Sequence, residues 1–343
     1  MQAARVVATA AAVLVLAVCE AGGAGGGVMR SVDQDRPFDL QGHRGARGLA
    51  PENTLVAFAR ALSLGVTTLE LDTAVTRDGV VVVSHDSTLN PDLTRRPEGA
   101  WLEAPGPAIF SLTRAELLRY DVGRLRPGTP YALTFPDQVP VDGTRIPTLR
   151  EVYALAKKAG NAAVRFNVET KLDPGKPDET PAPDAFADAV LAVAREAGAL
   201  DRTSIQSFDW RTLRHVQRIA PAVETCYLSV QTGEDQIQAG KPGASPWLAG
   251  LDVDDFGGSV PRLIRAAGGR CWSPNFKDLG ADTVAEAHRL GLRVVPWTVN
   301  RPEDLAAVLA LGVDGLISDR PDLARRVMQE KGVPLPKPTS VEP

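Results

Sequence analysis

Sparse cysteine, sparse aromatic side chains and the lack of a long apolar run each remove a class of function from this sequence. Cysteine occurs only three times in 343 residues, and no two lie within a few positions of each other, so no thiolate metal cluster is expected. Aromatic residues make up 5% of the chain, and the formal net charge of -4 comes with no basic stripe, a profile that gives no reason to propose nucleic-acid binding. The apolar run Val6 to Val18 falls short of the roughly 20 residues that a membrane-spanning helix needs.

That run follows Arg5 and leads into the small-residue stretch Ala21 to Gly27. This is the layout of a secretory signal over residues 1–27, followed by a polar linker over 28–36. The mature chain is therefore expected outside the cytoplasm, periplasmic or secreted, with no transmembrane helix. Leu16-Ala17-Val18-Cys19 is similar to a lipoprotein cleavage box, but Val18 stands where a small residue is usual, so a lipid anchor at Cys19 is not expected. With residues 1–27 removed, Cys226 and Cys271 remain, each in a strand-like run. An oxidising compartment would permit them to pair, but the plainer expectation is two buried free thiols.

The rest of the chain, 44% hydrophobic and 23% charged overall, has the composition of an ordinary globular protein, long enough for one large α/β barrel or two smaller domains. Strand-like runs at 38–43, 67–72, 163–169, 203–208, 224–229, 270–273, 293–298 and 315–318 are joined mostly by helical patterns, at 54–64, 149–158, 185–197, 210–219, 260–267, 283–290 and 304–311. This alternation predicts an α/β fold, a TIM (β/α)8 barrel over residues 37–331, whose C-terminal mouth would gather the functional groups. One element breaks the pattern. Residues 73–77 and 80–85 are extended runs separated by Asp78-Gly79, which predicts a β-hairpin with a type I′ turn that returns His85 to the level of Asp72. Residues 86–146 then form a long Pro- and Gly-rich insertion after the second strand, with one helical stretch at 114–119, expected to cover one side of the mouth and shape substrate choice. The last residues, 332–343, with four prolines, read as a disordered tail.

Polar residues close several of the strands: Gly42-His43-Arg44-Gly45, Glu70-Leu71-Asp72, His85-Asp86 and Glu169-Thr170-Lys171. Such groups are costly to bury without partners, so a site is the economical explanation. Side chains at i and i+2 of a strand share a face, which makes Glu70 and Asp72 a two-carboxylate claw and sets Lys171 beside Glu169. Converging carboxylates repel unless a proton or a metal neutralises them, and hard oxygen donors suit Mg²⁺ or Ca²⁺, so one divalent cation is expected at Glu70, Asp72 and Glu169. Gln206 and Phe208 share a strand face with Ser204 and are candidates for the pocket wall. His215 and His288 lie in helical patterns and are expected at the surface.

His43-Arg44-Gly45, Pro51-Glu52-Asn53-Thr54, Glu70-Leu71-Asp72, His85-Asp86, Glu169-Thr170-Lys171, Ser207-Phe208, Trp297-Thr298-Val299-Asn300 and Gly315-Leu316-Ile317-Ser318-Asp319 stand in the order of the signature elements of the glycerophosphodiester phosphodiesterase family. The chain resembles that family across roughly residues 38 to 323, in its extracytoplasmic type. Ser318 departs from it mildly, since threonine commonly precedes the aspartate. The resemblance implies a metal-dependent hydrolase of small-molecule glycerophosphodiesters such as glycerophosphocholine or glycerophosphoethanolamine. It gives the metal to Glu70, Asp72 and Glu169, acid/base catalysis to His43 and His85, and the phosphate to Arg44 and Lys171. It also suggests a cyclic phosphate intermediate on the way to sn-glycerol 3-phosphate and an alcohol. Trp297 is a candidate to pack on the glycerol or leaving group, and Glu52 to orient His43 or a metal ligand from behind. Two other functions compete: a related phospholipase acting on lysolipids or sphingolipids, and an extracytoplasmic binding protein that has lost catalysis.

Overall fold

The computed structural model describes residues 36–343. The expected signal, lipoprotein box and nearly all of the linker lie outside the described residues. Eight parallel strands form the barrel: β1 (Asp39–Gly42), β2 (Thr68–Val75), β4 (Arg165–Thr170), β5 (Thr203–Ser207), β6 (Glu224–Ser229), β7 (Cys271–Pro274), β8 (Arg293–Val294) and β9 (Gly315–Ser318), with β3 (Val81–Val83) paired antiparallel to the end of β2. Their order is β8-β7-β6-β5-β4-β2-β1-β9. Bonds from Asp314 N to the Val294 carbonyl and from Ile317 N to the Pro296 carbonyl, 2.9 Å each, close the ring between β8 and β9. The strand expected over 293–298 is cut to Arg293–Val294 because Pro296 has no N–H to offer the ladder.

The helices α1 (Leu55–Leu64), α4 (Leu149–Lys158), α5 (Pro183–Glu196), α6 (Trp210–Ile219), α7 (Val260–Ala266), α8 (Ala281–Arg289), α9 (Pro302–Ala310) and α10 (Pro321–Glu330) supply the outer layer. Thr54 caps α1 by accepting from Ala57 N, and α4 carries a Thr148/Glu151 capping box. The main apolar core lies between strands and helices, with Leu40, Leu69, Leu71, Phe166, Val168 and Leu316 pointing outward against α1, α4 and their neighbours. The alternate strand residues point into the barrel.

The hairpin is present, with a different turn. Thr76 N bonds to the Val80 carbonyl at 3.0 Å across a three-residue loop, and only Gly79 takes a positive φ, +78°. This is a type I turn with a glycine bulge rather than type I′, because Asp78 stays at negative φ and accepts from the Thr76 hydroxyl at 2.6 Å. Ser84 N bonds to the Asp72 carbonyl at 3.0 Å, so His85 does return to the level of Asp72.

The insertion is more ordered than its composition suggests. It holds α2 (Arg114–Leu117) and α3 (Pro130–Thr134), the second of which the pattern did not announce. Leu89, Leu102, Ile109, Leu117 and Ile146 form a small core of their own against Ala74 and Val82 of the hairpin. The tail also departs from expectation. It has neither helix nor strand, but Thr339 N donates to the Leu62 carbonyl at 2.8 Å, and Arg325 donates to the Pro336 carbonyl at 2.8 Å. A Cβ at Gly65 would meet the Pro336 carbonyl at 2.7 Å, so this glycine is what admits the tail. Cys226 and Cys271 are disulfide-bonded rather than free. They are register partners on β6 and β7, which puts both sulfurs inside the barrel. Among the described residues no helix is long and apolar enough to cross a membrane.

Candidate active site

The mouth of the barrel opens into a cavity of about 1040 Å³ lined by His43, Arg44, Glu70, Asp72, His85, Glu169, Lys171 and Trp297, together with Gln206 and Phe208. Glu52 lies behind this wall rather than in it.

Glu70 and Asp72 face inward from β2 and Glu169 from β4, where Asp72 and Glu169 are register partners. One oxygen from each of the three buried carboxylates lies within 4.8 Å of the others. Burial and then the Asp72 charge push Glu70 well above the usual carboxylate range. Burial also raises Glu169, opposed by Lys171 and reinforced by Asp72, to about 7. Asp72 goes the other way. Burial would raise it, but the Arg44 charge, followed by His85 and Lys171, holds it low. The donor set is therefore three hard oxygens with an excess of negative charge, which fits a divalent cation. Asn53 Nδ2 orients Asp72 at 2.9 Å, and Gln206 Nε2 orients Glu70 at 2.6 Å.

The two histidines are held alike. His43 Nδ1 lies 2.6 Å from Asp319 Oδ1, and His85 Nδ1 lies 2.8 Å from Asp86 Oδ1. A proton on Nδ1 that satisfies the aspartate leaves Nε2 as the acceptor. His43 Nε2 lies 3.9 Å from Glu70, and His85 Nε2 lies 3.0 Å from Lys171 Nζ. Burial, then the Arg47 charge, lower His43 to about 4 despite Asp319. Burial, Arg44 and Lys171 lower His85 as well. Asp319 is itself fixed by Arg47 at 2.8 and 3.1 Å and by Asn300 Nδ2 at 2.7 Å.

The cations are also committed. Lys171 Nζ sits 2.9 Å from Glu169 and 5.6 Å from the centre of the Phe208 ring. Arg44 donates to Glu52 at 2.6 Å through Nη1, while its Nε, 3.2 Å from Asp72, is misaligned and remains a buried donor without a hydrogen bond. Arg44 and Asn53 both take left-handed backbone conformations, φ 49° and 55°, and Asn53 N bonds to the Arg44 carbonyl at 3.0 Å. Gly45 follows at φ +86° against the backbone of Ala57, where a Cβ would come within 2.6 Å. Trp297 anchors its indole N–H on the Ser273 carbonyl at 2.9 Å and meets the Phe208 ring edge-on at 5.4 Å.

Several contributors gave little sign of themselves in the sequence. Asp86 and Asp319 close two of the motifs but had no role assigned there, and Arg47 follows His43 by four positions; only the fold shows what they hold. Tyr131, from α3, reaches Glu52 and Arg47 with its hydroxyl. His215 and His288 are half-buried rather than fully exposed, paired with Asp188 at 2.9 Å and Asp314 at 3.0 Å, and neither lines the cavity.

Comparison with known proteins finds relatives over most of the chain. The glycerophosphodiester phosphodiesterase of Caldanaerobacter subterraneus subsp. tengcongensis is 29% identical over 294 residues, covering 84% of this chain and 97% of its own. The crystal structure of a Silicibacter pomeroyi protein that carries the same family name is similar with a TM-score of 0.77 and 38% identity, covering 88% of this chain and 96% of that one. An Oleispira antarctica phosphodiesterase solved in complex with the product sn-glycerol-3-phosphate shares the fold, with a TM-score of 0.61, 20% identity and 85% and 96% coverage. The model of the glycerophosphoryl diester phosphodiesterase family matches residues 43–323, from His43 to beyond Asp319, and the chain belongs to that family.

Proposed function

We propose that the chain hydrolyses glycerophosphodiesters, such as glycerophosphocholine or glycerophosphoethanolamine, to sn-glycerol 3-phosphate and an alcohol. It does so with one divalent cation, Ca²⁺ or Mg²⁺, and with His43 and His85 as the acid/base pair. The observation that carries this reading is the pair of imidazoles, each with Nδ1 on an aspartate, lining one cavity with three buried carboxylates. A binding protein has no need of two groups poised to accept protons. The product named for the Oleispira antarctica phosphodiesterase is the one expected here.

Glu70, Asp72 and Glu169 would hold the cation, which when bound offsets the negative charge that makes a phosphodiester resist attack. One histidine takes the proton of the attacking hydroxyl while the other delivers a proton to the departing alcohol oxygen. Burial and the neighbouring cations favour the neutral form of both, and an anionic phosphate would raise the proton affinity of the one that must act as acid. Lys171 and Arg44, the two cations of the motifs that line the cavity, would bind the phosphate. Trp297 and Phe208 give the glycerol or leaving group an apolar wall.

Metal-stripped protein should release glycerol phosphate from glycerophosphocholine only after Ca²⁺ or Mg²⁺ is restored, and His43→Ala and Glu70→Ala should both abolish release. No release from folded wild type, with cleavage of a lysolipid instead, would move the assignment to a phospholipase. Binding without turnover would make it a binding protein. We also propose, from the signal-like residues 1–27, that the mature chain works outside the cytoplasm. The Cys226–Cys271 bond supports this, since such bonds persist in oxidising compartments. N-terminal sequencing of protein recovered by cell fractionation tests it, and a cytoplasmic chain that retains residues 1–27 would refute it.

A further inference from the structure

The hydroxyl of Tyr131 touches both halves of the active-site scaffold. It donates to Glu52 Oε2 and accepts from Arg47 Nη1 at 3.2 Å. From Glu52, contacts run to Arg44 Nη1 at 2.6 Å and on to Asp72, 3.2 Å from Arg44 Nε. From Arg47 they run through two bonds to Asp319, at 2.8 and 3.1 Å, and from Asp319 to His43 Nδ1 at 2.6 Å. Tyr131 itself belongs to the insertion and does not line the cavity.

Arg44 and Arg47 are close enough to repel, and the Glu52 carboxylate balances both. A hydroxyl can donate to the carboxylate and accept from a guanidinium at once, which a phenyl ring cannot. The insertion holds Tyr131 at this point. The Phe135 ring packs edge-on against it at 5.3 Å and lies 4.7 Å from the Arg47 guanidinium carbon. Gln138 donates to the Arg47 carbonyl at 2.8 Å, and Val139 N donates to the Leu49 carbonyl at 3.0 Å. The insertion is thereby strapped to the loop between β1 and α1, which carries His43, Arg44, Arg47 and Glu52.

We propose that Tyr131 is a positioning residue. Through its hydroxyl, the insertion sets both the Arg47–Asp319 pair that fixes the His43 ring and the Glu52–Arg44 pair beside Asp72. The inference rests on the acid/base role given to His43 above.

Tyr131→Phe keeps the ring and its packing and deletes only the hydroxyl. In the full chain supplied with whichever of Ca²⁺ and Mg²⁺ supports turnover, kcat on glycerophosphocholine should fall about tenfold, the loss typical of a partner that orients a ligand or base from behind. KM should stay within about twofold, and the variant should remain fully folded at the assay temperature even if the lost hydroxyl lowers the thermal midpoint by a few degrees. Combined with Glu52→Gln, the loss should equal the larger single loss, because both changes act through one chain of contacts. A second readout needs no turnover: the His43 Nδ1–H proton resonance, assignable among four histidines by single substitution, should shift in Tyr131→Phe. An unshifted resonance, an unchanged kcat in an active enzyme, or additive losses would overturn the proposal and leave Tyr131 a strut. A wild type that turns over no glycerophosphodiester would defeat the functional reading instead. The resonance would then decide by itself, a shift upholding the role of Tyr131 and no shift overturning it.

Discussion

Above its floor the barrel interior has two unlike halves. On the side of β1, β2, β4 and β5 the inward residues form a polar chain. Asn167 Nδ2 donates to Gln41 at 2.9 Å and to Gln206 at 2.7 Å, and Gln206 donates to Glu70 at 2.6 Å. On the side of β6, β7, β8 and β9 the same layer holds the Cys226–Cys271 disulfide, Val295 and Ile317 under Trp297. The polar half spends burial on groups that must each find a partner, and it carries the three carboxylates. The apolar half gains stability from packing and needs no such matching. One barrel therefore keeps its chemistry on one side and much of its rigidity on the other, and the two sides should respond differently to substitution.

The largest effect should come from Asp319→Asn, at the seam between the halves. The amide can no longer hold His43 with the proton on Nδ1, so kcat should fall on the order of a thousandfold, with the fold intact by circular dichroism. A fall of less than tenfold would detach Asp319 from the chemistry. Next, replacing Cys226 and Cys271 together by serine should cost about 2–4 kcal/mol in urea unfolding. If the apolar half is mainly structural, kcat should stay within about twofold of wild type, a change of well under 1 kcal/mol in the barrier. A large loss of activity at unchanged stability would reverse the comparison.

Glu169→Gln should stabilise the metal-free protein at neutral pH while removing the rise in thermal midpoint that Ca²⁺ or Mg²⁺ produces. The sign follows from linkage. The folded-state pKa of Glu169 is raised from 4.5 to about 7, so its contribution to stability is fully present below pH 4.5 and is lost as pH rises through 7. The advantage of the glutamine variant in metal-free protein should therefore be small near pH 5 and larger near pH 8, and a constant difference would refute the raised pKa of this buried carboxylate. The smallest effect should be that of Ile317→Val in the apolar half: about 1 kcal/mol of stability, read by the same urea unfolding, with kinetics unaltered.

How far each half could be read from the sequence follows the same division. Glu70, Asp72, Glu169 and Lys171 announced themselves because alternation along one strand is local, and charged residues at i and i+2 must share a face. The insertion was visible as a break in pattern, but its own small core and α3 were not, since proline-rich composition hides contacts made at a distance. The tail misled for the same reason: four prolines indicate no regular structure, but they say nothing about a groove left open at Gly65.

By itself the sequence determined the alternation of strands and helices, the face of each strand, and the residue types that converge at the mouth, because propensity and two-residue periodicity act between near neighbours. Only the tertiary structure decided which partners those residues have. Asp319 meets His43 across 276 positions, Gln206 meets Glu70 across 136, and Tyr131 meets Glu52 across 79. The parallel register of β6 and β7 likewise turned two cysteines 45 residues apart into a disulfide. These pairings exist only after the barrel closes and the insertion packs down, since closure is what brings distant strand ends to one level and removes the water that would otherwise have satisfied them.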